Sequence, residues 1–210
     1  MTKSFNLGTS PTIGTHILPG DPLINISQRL NSKIKLTIAT CDKIVEGVKN
    51  RELDLGLIES PIFDDALVYK EWMEDELVVC SKTPFHEPLG EEELSHCKLL
   101  CRNIDSPARV FISDFFEGQG LSYNTFDSLF EIDNATSAIQ GIKWSKPNKE
   151  HPTIAIVSHL AIEDELDKKV LYKSRIKNKP MHRKFYLIYN NNHTDHSYVE
   201  DIIAYLQEGM

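Results

Sequence analysis

The first part of the chain alternates between short apolar runs and apolar residues at helical spacing. Phe5–Leu7 is followed by small hydroxylated residues and then by the helical positions Ile13 and Ile17. Ile34–Ile38 alternates apolar and polar positions, which is typical of a half-buried strand, and Asp42 is placed to cap the next helix. The pattern therefore predicts two successive units of a strand followed by a helix.

A third apolar run, Leu53–Ile58, is typical of a central parallel strand buried on both faces, and the loop Ser60–Asp65 ends it. Parallel strands are joined by right-handed crossovers, so the loops that follow them gather at one carboxyl edge of the sheet. The sequence thus predicts a parallel sheet with a ligand crevice at that edge.

The rhythm of strands and helices breaks once. Strands are predicted at Leu67–Tyr69 and Glu76–Cys80, after which prolines, Gly90 and an acidic run interrupt the pattern. We expect the chain to cross into a second lobe near Ser81–Pro84, because neither a strand nor a helix pattern continues through that segment.

A second lobe with the same organisation is predicted after the break. Strands are expected at Leu99–Cys101, Leu129–Ile132 and Ile154–Val157, with Ser106 and Asn134 beginning the helices after the first two. The helix after Ser106 is expected to bury one apolar face, formed by Val110, Phe111 and Phe115. The two lobes are therefore expected to share one α/β architecture.

Composition narrows the classes of partner. The chain has 23 Lys and Arg against 31 Asp and Glu, a net charge of −8, so direct contact with DNA is not expected. Its apolar runs are too short to cross a membrane. The cysteines lack the spacing of a disulfide framework, and no secretory signal is recognised. These features favour a reduced, cytoplasmic protein.

Several segments, taken in order, resemble one known family, and together they extend from about Phe5 to Leu206. They are Gly8–Gly14 with Ile17–Pro19, Val48–Ile58, Glu74–Val79, Ile154–Leu166 and Arg183–Tyr189. The chain resembles the effector-binding domain of LysR-type transcriptional regulators. It departs from the family at Lys146–Thr153, which replaces a Gly-rich stretch.

The resemblance implies an α/β fold of the type II periplasmic-binding-protein kind, with two Rossmann-like lobes, two crossing strands and a ligand cleft between the lobes. Lobe I would comprise residues 1–81 and 183–210, and lobe II residues 82–182. The family's N-terminal winged helix-turn-helix is expected to be absent from this chain, which would reach operator DNA only through that domain. A homodimer or tetramer is also implied.

Four candidate effector-binding residues lie in lobe I. Ser10 and Thr12 stand at a predicted helix start, where free backbone N–H groups and hydroxyls attract anions, although plain capping is the alternative. The resemblance implies effector contacts for both. Glu59 and Ser60 end the third strand and would face the crevice. A carboxylate there would repel an anionic effector unless it pairs with a base or binds a hydroxyl.

Four further candidates lie in lobe II. Arg102 and Ser106 follow a strand and would grip a carboxylate or oxyanion, or else be a surface arginine beside an ordinary cap. Thr136 and Ser158 occupy corresponding edges of the next two strands, where the resemblance makes them cleft residues and capping is again the alternative. A small, anionic effector is the ligand class that these residues suggest.

Neither catalysis nor metal binding is expected. The segment His193–His196 and the pair Cys97 and Cys101 lack further ligands at a suitable spacing, and we interpret the former as a solvated loop. Sequence motifs of hydrolases, phosphate-binding loops and dinucleotide sites are not found. We therefore predict a binding protein without a cofactor.

The predicted function is to sense a small molecule as part of a DNA-binding transcriptional regulator. Two alternatives remain open. One is the catalytic domain of a short-form ATP phosphoribosyltransferase, which would need a phosphate cradle where Lys143–Thr153 stands. The other is a stand-alone solute-binding protein, because such proteins share the fold.

Overall fold

A computed structural model describes residues 4–85, 88–104, 106–192 and 196–208. The chain divides into two compact units. Unit 1 takes the residues up to Glu74 and those from Arg183 onward, and unit 2 is Asp75–His182.

The strands among the described residues are β1 (Ser4–Thr9), β2 (Lys33–Ile38), β3 (Leu55–Ile58), β4 (Leu67–Ser81), β5 (Lys98–Arg102), β6 (Ser128–Ile132), β7 (Thr153–Ser158), β8 (Tyr172–Ser174) and β9 (Met181–Asn190). The α-helices are α1 (Asp21–Leu30), α2 (Cys41–Lys49), α3 (Glu91–Ser95), α4 (Pro107–Gly118), α5 (Ala135–Trp144), α6 (Glu163–Asp167) and α7 (His196–Glu208). Shorter helical turns are Ile13–Ile17, Tyr123–Thr125 and Leu160–Ile162.

Unit 1 contains the predicted parallel sheet. Its strand order is β2-β1-β3-β9, in which β1 pairs in parallel with β2 and β3, and β9 runs antiparallel to β3. All four residues of β3 are buried, as expected for a strand covered on both faces. The helix α2 begins one residue after Thr40, so the predicted cap, Asp42, lies instead within its first turn.

The turn after β1 is unusually wide. The N–H of Leu18 donates to the carbonyl of Ile13 at 3.0 Å, five residues back, which makes Ile13–Ile17 a π-helical turn. A Cβ atom on Gly14 would lie 2.1 Å from Thr9 Oγ1 and 2.7 Å from Ile38 Cγ1, so only glycine allows this close approach to the sheet.

Unit 2 also contains three parallel strands, and an antiparallel strand borders them on one side. Its strand order is β4-β7-β5-β6; β5 is parallel to β6 and β7, whereas β4 runs antiparallel to β7 and also pairs with β8. The acidic run that interrupted the sequence pattern forms α3. There Glu93 Oε2 accepts from the N–H of Gly90 at 2.8 Å and so completes the helix start.

The first passage between the units lies earlier than the sequence suggested. The two predicted strands around Leu67–Tyr69 and Glu76–Cys80 are one continuous strand, β4, and the boundary falls between Glu74 and Asp75 rather than after Ser81. Because β4 continues through this boundary, no proline or glycine marks it in the sequence. The second boundary, between His182 and Arg183, coincides with the predicted one.

The buried face of α4 differs from the predicted one. Ile112 and Phe116 are buried with Arg109, whereas Val110 is 51% exposed. Ser106 caps the helix and fixes its rotation, and positions three and four residues apart then share one face. Phe116 packs edge-on against Tyr123, with ring centroids 5.1 Å apart. Phe111 and Phe115 are half-buried and pack against the core of unit 2, so the predicted apolar face was wrong only at Val110.

In the part of the chain that the structure describes, we find no helix with both the length and the apolar character needed to cross a membrane. The four cysteines are buried and form no disulfide. Burial raises the pKa of the Cys80 and Cys97 thiols to about 12, so both are neutral thiols at physiological pH.

The core of unit 2 depends on Phe116, which is 1% exposed and lies among the aromatic rings of Tyr123 and Phe126. We expect Phe116→Ala to lower the free energy of unfolding by about 3–5 kcal/mol, because it removes buried apolar surface and leaves a cavity. Val110→Ala on the exposed face of the same helix should change it by less than about 0.5 kcal/mol. Urea denaturation of both variants checks this, and equal losses would contradict the assigned rotation of α4.

Candidate functional site

The carboxyl ends of β1 and β3 bring the first group of candidate residues together. Thr9 pairs with Leu57 across the two parallel strands, and the N–H of Ser10 donates to the carbonyl of Leu57 at 2.9 Å. The chain therefore leaves both strands at neighbouring points. This register places the turn Ser10–Thr12 beside Glu59, as the sequence predicted for residues that follow parallel strands.

Glu59 binds the turn with both of its carboxylate oxygens. Its Oε1 accepts from the backbone N–H of Thr12 at 3.1 Å, and its Oε2 accepts from Thr12 Oγ1 at 2.8 Å. Arg183, at the start of unit 1's part of β9, donates from Nη1 to the same Oε2 at 2.6 Å. The carboxylate thus receives hydrogen bonds from a backbone group, a hydroxyl and a guanidinium.

This polar group is shielded from solvent. The side chains of Glu59 and Arg183 are 13% and 9% exposed, and the guanidinium carbon of Arg183 lies 5.1 Å from the ring centroid of Phe185. An ion pair in such surroundings is screened little by salt, and each charge depends on the other for its compensation.

Glu59 is ionised at neutral pH. Burial raises the pKa of this carboxyl group, but the positive charge of Arg183 and the hydrogen bonds from Thr12 outweigh it and hold the pKa below its ordinary value. The nearby thiol of Cys41 responds in the opposite sense, because burial and the charge of Glu59 raise its pKa. The site therefore holds one fixed negative charge, paired with one positive charge.

Three of the four lobe I candidates meet in one cluster. Ser10 and Thr12 are buried, and the hydroxyl of Thr12 binds Glu59 instead of capping its own helical turn. Ser60 follows Glu59 and is half-buried. We name Ser10, Thr12, Glu59 and Arg183 the carboxylate cluster. Arg183 was missed as a site residue, although the need for a base beside Glu59 was a signal for it.

The lobe II candidates lie at the carboxyl edge of the parallel strands of unit 2. Arg102 ends β5, and its carbonyl accepts from Arg109 Nη1 at 2.7 Å. Ser106 Oγ accepts from the N–H of Arg109 at 3.1 Å, so this hydroxyl caps α4. Arg109 is itself buried and lies 3.6 Å above the ring of Tyr123. An effector contact by Arg102 or Ser106 stays a prediction.

Thr136 and Ser158 stand at the corresponding ends of β6 and β7. Thr136 lies in the first turn of α5, and the cap is supplied by Asn134, whose Oδ1 accepts from Ser137 N at 2.7 Å. Ser158 is 3% exposed, and its Oγ donates to Asp75 Oδ1 at 2.7 Å. The Ser158 hydroxyl is therefore bound within unit 2, and its contact with an effector is likewise a prediction.

A separate pocket of about 520 Å³ lies in unit 2 and shares no residue with the predicted site. Its lining includes Thr83, Phe85, Leu89, Glu93 and His96. The residues with described side chains contain no group of three His, Cys, Asp or Glu arranged to hold a metal ion. Of the segment His193–His196, residues 193–195 and the side chain of His196 lie outside what the structure describes.

Comparison with known proteins identifies the family. The family model described as the LysR substrate binding domain matches residues 2–210. The chain belongs to this family. Its fold is correspondingly similar to the cofactor-binding domain of the Cbl transcriptional regulator, with a TM-score of 0.78 and 17% identity over 100% of this chain and 90% of that one. These findings confirm the predicted α/β fold of periplasmic-binding-protein type.

Two of the curated relatives are named as transcriptional regulators. The chain is 27% identical over 196 residues to the HTH-type transcriptional regulator CysL of Bacillus subtilis, covering 90% of this chain and 56% of that protein. It is 26% identical over 195 residues to a probable RuBisCO transcriptional regulator of Phaeodactylum tricornutum, covering 90% and 62%. The full-length BenM E226K mutant has a similar fold, with a TM-score of 0.75 and 15% identity over 97% of this chain and 66% of that one. The chain thus spans about three fifths of the curated regulators that it matches.

The ion pair within the carboxylate cluster predicts a stability that depends on pH. Because the pKa of Glu59 is lowered on folding, its ionised form stabilises the protein fully above about pH 4.5, the ordinary value, and this contribution falls as pH drops through the lower folded pKa. Glu59→Gln cannot ionise. At neutral pH we expect it to lose about 3–5 kcal/mol, because Arg183 stays buried without its counter-charge. The loss should shrink in acid, as measured by urea denaturation at several pH values.

A neighbouring ion pair provides the control. Lys184 follows Arg183 on β9 and pairs with Glu71 at 2.7 Å, but both side chains are exposed, at 44% and 62%. We expect Glu71→Gln to change stability little at any pH, since exposed pairs are well solvated. A pH-independent difference between wild type and Glu59→Gln would contradict the ionised, buried carboxylate.

Proposed function

We propose that this chain is the effector-sensing part of a LysR-type transcriptional regulator, and that a small molecule contacts the carboxylate cluster in unit 1. The observation that carries the proposal is the cluster itself. Buried polar groups from three parts of the chain, Thr12, Glu59 and Arg183, converge at the carboxyl ends of parallel strands. That edge is where open α/β sheets bind ligands.

Operator DNA would be bound by another part of the regulator. The net charge of −8 makes this chain a poor partner for phosphates. The matched relatives are longer and carry a helix-turn-helix designation in the case of CysL. An effector changes such a regulator only if it binds one of its arrangements better than another. A cytoplasmic homodimer or tetramer is the corresponding proposal for the assembled protein.

We further propose that the chain is not catalytic. The relatives cited above are transcriptional regulators, and the carboxylate of Glu59 is engaged by Thr12 and Arg183 instead of being held as a free base beside a nucleophile. The phosphoribosyltransferase alternative would require turnover of ATP with phosphoribosyl pyrophosphate. The carrier alternative would require a transporter partner, and the similarity to regulators supports it less well.

The experiment is a metabolite screen by thermal shift, with titration calorimetry of each compound that raises the midpoint. We expect Thr12→Val to weaken the binding of a genuine effector by about tenfold or more. The substitution removes the Thr12 hydroxyl, and that hydroxyl holds the Glu59 carboxylate in place. Thr37→Val on the edge strand β2 is the matched control and should leave affinity unchanged.

The compound is then added to the complete regulator bound to operator DNA. A change in DNA affinity or footprint supports the regulatory function. Equal affinity of wild type and Thr12→Val for the effector would place its binding site outside the carboxylate cluster, and chemical conversion of the compound would support an enzyme instead.

A further inference from the structure

The anion-attracting turn that the sequence predicted is occupied by the protein's own carboxylate. The backbone N–H and the hydroxyl of Thr12 both donate to Glu59, and Arg183 supplies the positive charge. These are the donors that a free carboxylate, phosphate or sulfate would need at this turn. In this protein they are committed before any ligand arrives.

We infer that Glu59 is a built-in anion, which excludes acidic groups of an effector from the turn and selects a ligand that meets it with a hydroxyl or ammonium group. This inference rests on the proposed function and names the ligand chemistry of the same site. An acidic group of an effector is therefore expected to lie away from Ser10 and Thr12.

Competition with a free anion favours Glu59. The carboxylate is tethered directly after β3, whose backbone is fixed by β1 and β9, so its effective concentration at the turn is high. A free anion that displaced it would leave Glu59 buried at 13% exposure without its partners. An anion that bound beside it would bring two like charges together, with Arg183 as the counter-charge to only one of them.

The capacity of the Glu59 carboxylate to accept further hydrogen bonds determines which class of ligand it can bind. An ionised carboxylate accepts hydrogen bonds and donates none, so a ligand group that contacts Glu59 directly has to be a donor. The lowered pKa of Glu59 supports this, since the group stays ionised at neutral pH. Neutral polyhydroxy compounds and amines present suitable donors at this position.

Removal of the carboxylate should turn the cluster into a site for small anions. In Glu59→Ala, Thr12 and Arg183 keep their donors but lose the acceptor. We expect sodium acetate, compared with sodium chloride at the same ionic strength, to raise the thermal midpoint of this variant saturably by about 2–4 °C. The wild-type midpoint should be the same in both salts.

Two variants test where acetate acts. Glu59→Ala combined with Arg183→Met should lose the acetate response, because the counter-charge is gone. Glu71→Ala, which frees the exposed Lys184, should show none. A Glu59→Ala variant that is folded but insensitive to acetate would overturn the inference.

The wild-type chain gives a second measurement that does not depend on the folding of a variant. Titration with acetate and with sulfate at neutral pH, followed by NMR, should leave the Thr12 amide unshifted beyond the effect of chloride. A saturable shift of the Thr12 amide would contradict the inference that Glu59 excludes free anions from the turn.

The two proposals fail separately. Suppose that an effector is found, but acetate does not raise the thermal midpoint of Glu59→Ala and does shift the Thr12 amide of the wild type. The sensing function then stands, and the inference of a built-in anion is wrong. If acetate rescues the variant but compounds from the screen do not bind, the built-in anion stands and the sensing function is wrong.

Discussion

The contact between Glu59, Thr12 and Arg183 is the interaction on which the candidate site depends. It joins the end of β3, the helical turn after β1 and the strand β9 through one carboxylate. Removing Glu59 would take the acceptor from both donors of Thr12 and the counter-charge of this ion pair from Arg183, and such losses are costly in a protein interior. The geometry of the turn and the charge of the site are therefore set together.

The same contact links the site to the passage of the chain between the two units. Arg183 is the first residue of unit 1 after the chain leaves unit 2 on β9. A ligand group that altered the hydrogen bonds of Glu59 would act on Arg183 directly. The neighbouring pair Lys184 and Glu71 is exposed and carries no comparable constraint. Burial, more than the presence of opposite charges, distinguishes the two pairs.

Local pattern was sufficient for most of the individual elements. The alternation of Ile34–Ile38 and the apolar run Leu53–Ile58 correspond to β2 and β3, and Ser106 and Asn134 begin α4 and α5 as expected. The failures share a cause. The rotation of α4 was misjudged at Val110, and β4 was divided in two, because one amphipathic pattern fits several neighbouring arrangements until packing selects one.

The sequence by itself determined the family, most of the strands and helices, and the position of Ser10, Thr12 and Glu59 at strand ends, since these follow from short-range periodicity and from motifs a few residues long. Only the tertiary structure decided that Arg183, distant in sequence, pairs with Glu59, and that Ser158 binds Asp75. Hydrogen-bond partners depend on the register between strands and on burial. Both arise from contacts between distant parts of the chain, and local sequence does not encode them.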